Sequence, residues 1–335
     1  MDRRSVLATM SAASAMAVAK AGAATAAETS AQPSVPPYRA AVMRTSVLVP
    51  PSGDALEDIR RKNSENMVAA IEDLMAKSNP KPRVVVFPVL PYTSARRAVS
   101  GVPMEMVAVD LASKPLDQSI FAPVVEACRR HNCYVATSTQ EVVPKLGNKY
   151  FHTGFIMGPE GLVLRSPKVQ AQSAPEVGYL RDMMASYKAA FGPDSILPVA
   201  KTPVGTLACF VEGEAEVLEA SRLLSTKGAD LILHTSLEDP EIPWLALKQA
   251  IGFQCHVFLL TAATSRMIYA NDPAGEWAGG SSTIIGPEGQ VLASIGGKEE
   301  GFAVADIDLA AIGEAKKKFA RNTVPAWQLY SDLYK

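Results

Sequence analysis

The chain has 335 residues, 48% of them hydrophobic and 20% charged, and 33 basic residues against 34 acidic ones leave a formal net charge of −1. This is the composition of a globular protein. With no basic excess, it excludes a binder held to nucleic acid or an anionic membrane by charge.

Four cysteines, at 128, 133, 209 and 255, are too few and too scattered for a disulfide scaffold. Neither they nor the histidines at 131, 152, 234 and 256 have the spacing of a metal site. No G-x-G-x-x-G, P-loop or G-x-S-x-G occurs, which argues against dinucleotide, nucleotide-phosphate and serine-hydrolase chemistry.

In chain order, residues 1–27 have a basic start, an alanine-rich apolar middle and small residues around Ala24, Thr25 and Ala26, the pattern of a cleaved signal peptide. Arg3 and Arg4 ahead of Val6 and Leu7 resemble a twin-arginine export motif, which predicts a periplasmic location. The segment lacks the ~20 strongly apolar residues that span a bilayer, so no membrane span is expected. Residues 28–37 read as a Ser/Pro-rich linker, 38–310 as the folded domain and 311–335 as a C-terminal helix and tail.

Within the domain, 38–49 reads as a first strand and 54–77 as a helix with apolar residues at helical spacing. The run 83–90 is a buried strand, 91–116 a long connection, 119–132 a helix and 133–142 a strand. Two later segments, 151–168 and 279–297, repeat one design: a strand, the tetrapeptide Gly-Pro-Glu-Gly, and a second strand. Between them lie a strand through Cys209, a helix at 214–227, a strand at 230–236, a helix at 243–256 and a strand at 257–264. Two similar α/β halves, each contributing a sheet with apolar interior strands, predict a four-layer αββα sandwich. Cys209 falls near the end of its strand, with glutamates at 212, 214 and 216 opening what reads as a helix, a setting that favours thiolate.

Five stretches together resemble the nitrilase, or carbon–nitrogen hydrolase, superfamily: VVVFP at 84–88, TGFIMGPEGLVLRSPKV at 153–169, VGTLACF at 204–210, KGADLIL at 227–233 and GGSSTIIGPEGQVLA at 279–293. The sequence is most similar to the aliphatic-amidase and formamidase branch. The resemblance implies the αββα fold and cofactor-free, metal-free hydrolysis of a small nonpeptide amide or related bond through a cysteine acyl-enzyme. By motif position, Cys209 matches the nucleophile, Lys168 the lysine that stabilises the tetrahedral intermediate, and Glu176 the second glutamate. Phe210, Tyr92, His152 and Trp277 are the candidate substrate contacts, the last three in connections expected to border the site. The resemblance also implies a homo-oligomer, with Trp327 and Tyr330 in a tail suited to that contact.

One family residue is absent. The general-base glutamate follows Phe-Pro in the first motif, and here that position is Val89. Valine accepts no proton, and losing a positioned base typically costs about 10² to 10⁴ in rate. Three possibilities stand: a binding or regulatory protein on the same scaffold, a substitute carboxylate (Glu212 or Glu176), or a different acyl chemistry.

Overall fold

In the computed structural model, residues 35–49, 56–89, 119–169, 180–238, 241–269 and 272–319 are described. The strands are β1 (Tyr38–Arg44), β2 (Val47–Val49), β3 (Val84–Val89), β4 (Tyr134–Val143), β5 (Lys149–Gly158), β6 (Gly161–Pro167), β7 (Ala200–Thr202) and β8 (Gly205–Val211). They continue with β9 (Leu231–Ser236), β10 (Phe258–Ala263), β11 (Arg266–Tyr269), β12 (Asp272–Trp277), β13 (Ser281–Ile285), β14 (Val291–Gly296) and β15 (Gly301–Ile307). The helices are α1 (Leu56–Lys77), α2 (Ala122–His131), α3 (Leu180–Phe191), α4 (Leu218–Thr226), α5 (Trp244–Cys255) and α6 (Ala310–Phe319).

Two six-stranded sheets, ordered β15-β1-β3-β4-β5-β6 and β14-β13-β10-β9-β8-β7, carry the same plan. In each, three parallel strands (β1, β3, β4 or β8, β9, β10) are continued by an antiparallel hairpin and closed on the other side by an antiparallel edge strand. The hairpins are the repeated Gly-Pro-Glu-Gly units; Gly161 closes the first at φ +102, a backbone state that favours glycine.

The outer face of the first sheet is covered by α1 and α2, whose Met67, Ile71, Leu74, Val124 and Cys128 pack on Val85, Phe87, Val135 and Phe155. Ala220, Leu224, Trp244 and Ile251 of α4 and α5 cover Ala208, Phe210, Ile232 and Leu259 of the second sheet. Because side chains alternate along a strand, the intervening residues face the other sheet. Ser166 Oγ donates across that interface to the Cys209 carbonyl (3.1 Å) and Thr235 Oγ1 to Ser138 Oγ (2.7 Å). The fold is the expected αββα sandwich.

Local departures from the sequence reading have local causes. The first strand breaks after Arg44: the Thr45 carbonyl accepts the Ser265 N–H (3.1 Å), and β2 leaves to join a small sheet with β11 and β12. The chain after Cys209 forms a 3-10 turn at Glu212–Glu216 and becomes helical only at Leu218. Helix α3, which the sequence reading did not anticipate, lays Leu180 and Tyr187 over Val143 and Phe151. His152 and Trp277 lie on β5 and β12 rather than in connections, because both segments pair along their length with neighbouring strands. Residues 320–335, with Trp327 and Tyr330, are outside the described residues.

Candidate active site

Cys209 sits on the inner face of β8, fully buried. Its Sγ lies over Gly154 of β5 so closely that a Cβ added there would stand 2.5 Å from the sulfur. Glycine at 154 therefore makes the room for the thiol. The thiol donates a long hydrogen bond to the Phe210 carbonyl (3.6 Å). Burial, and then the negative charge of Glu214, push it well above the ordinary thiol value. This corrects the expectation of a thiol poised as thiolate beside a helix N-terminus and an ammonium. A 3-10 turn takes the place of the helix, and the ammonium has another partner.

That partner is Glu212. Lys168 follows β6 directly, and its backbone N–H donates to the His152 carbonyl (2.8 Å), which extends the hairpin pairing by one residue. Its Nζ lies 3.2 Å from Glu212 Oε2, and His152 Nδ1 lies 3.3 Å from the same oxygen. The three side chains are 11–25% exposed, so this cluster is largely buried but still reaches solvent. Burial raises the Glu212 carboxyl, but His152 and Lys168 outweigh it and hold the group far below the usual carboxylate range.

Two further groups set the turn that presents Glu212. Its backbone is left-handed (φ +48), uncommon for a residue other than glycine or asparagine. Its carbonyl is held by His234 Nε2 at 2.9 Å. A carbonyl only accepts, so Nε2 carries the proton and Nδ1 accepts from the Thr261 hydroxyl (3.2 Å). Burial, then the charge of Lys248, push His234 down to about 3, which keeps it neutral. Glu214, also buried, receives the N–H of Val169 at Oε1 (2.9 Å) and of Val211 at Oε2 (3.0 Å). It thereby ties the segment after Lys168 to the end of β8. Burial pushes its carboxyl up to about 7 against those two hydrogen bonds.

Val89 is buried on β3, where an irregularity after Val86 brings it into register with Ser138. Ser138 is paired in turn with Gly154, and Gly154 with Ser166. Val89, where the sequence reading expects the base, thus stands in the row of side chains that faces Cys209. Phe210, expected to contact substrate, alternates to the other face of β8 and packs under α5, with His234 edge-on at 6.4 Å. Trp277 is 36% exposed and stacks under the Arg266 guanidinium (5.1 Å). Glu176 and Tyr92 lie outside the described residues. Among the described residues no three metal-ligating side chains cluster, and no helix is long and apolar enough to cross a membrane. Surface depressions of about 470 and 490 Å³ lie beside α1 and α5, and Cys209 lines neither.

The sequence reading missed Ser138, Thr235, His234, Glu214 and Gly154. Their available signal was polarity inside otherwise apolar interior strands, such as His234 and Thr235 in DLILHTS.

Omega-amidase NIT2 of Xenopus tropicalis is 27% identical over 190 residues, covering 55% of this chain and 65% of that protein. Omega-amidase NIT2 of Homo sapiens is 25% identical over 193 residues, covering 56% and 64%. The chain thus spans a little under two thirds of the length of these relatives. Among solved structures, a carbon–nitrogen hydrolase from Helicobacter pylori G27 superposes with a TM-score of 0.66 at 19% identity, over 89% of this chain and 99% of that one. An amidase from Nesterenkonia sp. superposes with a TM-score of 0.59 at 19% identity, over 87% and 97%. These superpositions speak to the fold. The carbon–nitrogen hydrolase family itself matches residues 52–317, a span that includes all of α1 and runs to the last turn of α6. On that match, the chain belongs to the carbon–nitrogen hydrolase family.

Proposed function

We propose that the protein hydrolyses a carbon–nitrogen bond of a small nonpeptide amide through an acyl-enzyme on Cys209. The observation that carries this reading is the facing of β6 and β8. The Ser166–Cys209 hydrogen bond joins the two strands, and Lys168 follows two residues later with its ammonium on Glu212, three residues past Cys209. Cys209 sulfur attacks the amide carbon. The developing oxyanion is met by Lys168, whose ammonium has three donors and gives one to Glu212. Collapse expels the amine, and water then attacks the thioester to release the acid. The omega-amidase and amidase names borne by similar proteins favour an amide over a nitrile.

Val89 supports a second reading, a binding or regulatory protein on the same scaffold. The resting state of Cys209, buried and donating to a carbonyl, favours it. Export by a twin-arginine signal and homo-oligomeric assembly complete the proposal; both rest on the sequence.

Ammonia release from a panel of amides and nitriles separates the two. Hydrolysis predicts turnover by the native chain that Cys209→Ala abolishes. A silent native chain that Val89→Glu awakens favours the binding protein, and turnover that survives Cys209→Ala rules out the nucleophile.

A further inference from the structure

We propose that His152 takes the place of the absent glutamate: it receives the Cys209 thiol proton through the Ser138 hydroxyl, while Glu212 holds and neutralises its ring. This rests on Cys209 being the nucleophile.

Contacts from Glu212 through His152 to Ser138, and strand register from Ser138 to Cys209, carry the inference. Glu212 Oε2 lies 3.3 Å from His152 Nδ1, and His152 Nε2 lies 3.4 Å from Ser138 Oγ. A carboxylate only accepts, so Nδ1 carries the proton; in the neutral ring that the relay uses, the Nε2 lone pair then faces the Ser138 hydroxyl. Thr235 Oγ1 donates to Ser138 Oγ at 2.7 Å. The same Thr235 hydroxyl reaches the Phe210 carbonyl (3.4 Å), the atom to which the Cys209 thiol donates (3.6 Å). The thiol and the Thr235 hydroxyl thus lie beside one oxygen, with Ser138 next to Thr235.

The strand register gives the same neighbourhood independently. Ser138 is flanked by Val89 on one side and by Gly154, under the sulfur, on the other. Its hydroxyl therefore stands between the thiol and the position where the family places its glutamate. The Ser138–His152–Glu212 order is that of a nucleophile-activating relay, with distances in the loose range of ligand-free sites.

The proton accounting closes. The S–H bond breaks as its proton goes to Ser138 Oγ, and the Ser138 proton goes to His152 Nε2. The products are a thiolate and an imidazolium flanked by the Glu212 carboxylate. When the tetrahedral intermediate collapses, the imidazolium returns its proton to the leaving nitrogen. The neutral ring then accepts a proton from the water that attacks the thioester, and as the acid leaves, the ring returns that proton through Ser138 to the expelled Cys209 sulfur. Among the described residues, Lys168, sharing Glu212 Oε2 with the ring, is the other charged group facing it.

Alkylation of Cys209 by iodoacetamide, followed by peptide mass mapping, reads thiolate formation without a known substrate. His152→Ala removes the ring. His152→Gln keeps an amide N–H for Glu212 but accepts no proton at the Nε2 place. The relay predicts that both variants, with native circular dichroism, label Cys209 about 10²-fold more slowly than the native protein. Imidazole in the buffer restores labelling at least tenfold in His152→Ala. Labelling of His152→Gln at the native rate, or a folded His152→Ala that imidazole does not rescue, overturns the relay alone. A native protein whose Cys209 resists iodoacetamide overturns the nucleophile and the relay together.

Discussion

Lys168 and Glu212, 44 residues apart in sequence, meet at 3.2 Å, while burial pushes the Cys209 thiol well above its ordinary value. The Lys168 ammonium, which the proposed mechanism directs at the oxyanion, is paired here with the carboxylate three residues past Cys209. Glu212→Gln removes that charge and also loosens the ring of His152. It is expected to lower kcat by about 10-fold or more, while Glu212→Asp restores part of the loss. Steady-state ammonia release on the three proteins checks this.

Gly154 makes the space for the thiol. A Cβ at this position would stand 2.5 Å from Cys209 Sγ and 3.0 Å from Val211 Cγ2, both within a packed interior. Gly154→Ala is expected to cost about 1–3 kcal/mol of stability by overpacking. It also displaces the sulfur, so alkylation of Cys209 falls in the folded variant. Urea denaturation and peptide mass mapping measure the two effects.

Glu214 couples the site to pH. Its folded value, about 7, lies above the ordinary carboxylate value of 4.5, so between them the native state binds a proton that the unfolded chain releases. Its contribution to stability is therefore greatest below 4.5, declines as pH rises toward 7, and declines no further above that. Glu212 acts in the opposite sense: its depressed value gives stability above the ordinary carboxylate value, lost as pH falls through the folded one. The Tm of Glu214→Gln relative to the native protein is expected to rise from pH 5 to pH 7, as scanning calorimetry across that window would show. A constant difference excludes the linkage.

Outside the site, Glu238 and Lys248 form a fully buried ion pair at 2.5 Å. Lys248 Nζ donates to the Ser281 carbonyl (2.7 Å), and Glu238 accepts the Ser281 N–H (3.0 Å). Burial lowers the lysine and raises the glutamate from their ordinary values. Lys248→Met leaves a buried carboxylate without its partner and should cost about 3–5 kcal/mol. The double variant Lys248→Met with Glu238→Leu should recover much of the loss. Denaturation midpoints of the two variants test the pair.

The architecture was legible because it is written in local patterns. Apolar runs such as RVVVF and VFLLT became interior strands, and the two Gly-Pro-Glu-Gly hairpins marked the equivalent halves. The site was only partly legible. Cys209 and Lys168 could be aligned by motif, but no sequence period announces that His152 faces Glu212, because that contact depends on two sheets stacking. The 3-10 turn was misread as helix because its acidic residues do satisfy a helix start. What decides the matter is tertiary: His234 holds the Glu212 carbonyl, and Glu214 takes the Val211 N–H. Phe210 was misassigned because β8 is covered on both faces, so the strand's own sequence does not say which face bears the chemistry.

The central claim is that Cys209 carries the acyl group. Rapid acid quench of the native protein during turnover of a small amide, followed by peptide mass mapping, measures this directly. The account predicts an added acyl mass on the peptide containing Cys209 and none in Cys209→Ala, which also releases no ammonia. An acyl mass on any other residue, or ammonia release at the native rate by Cys209→Ala, would contradict it.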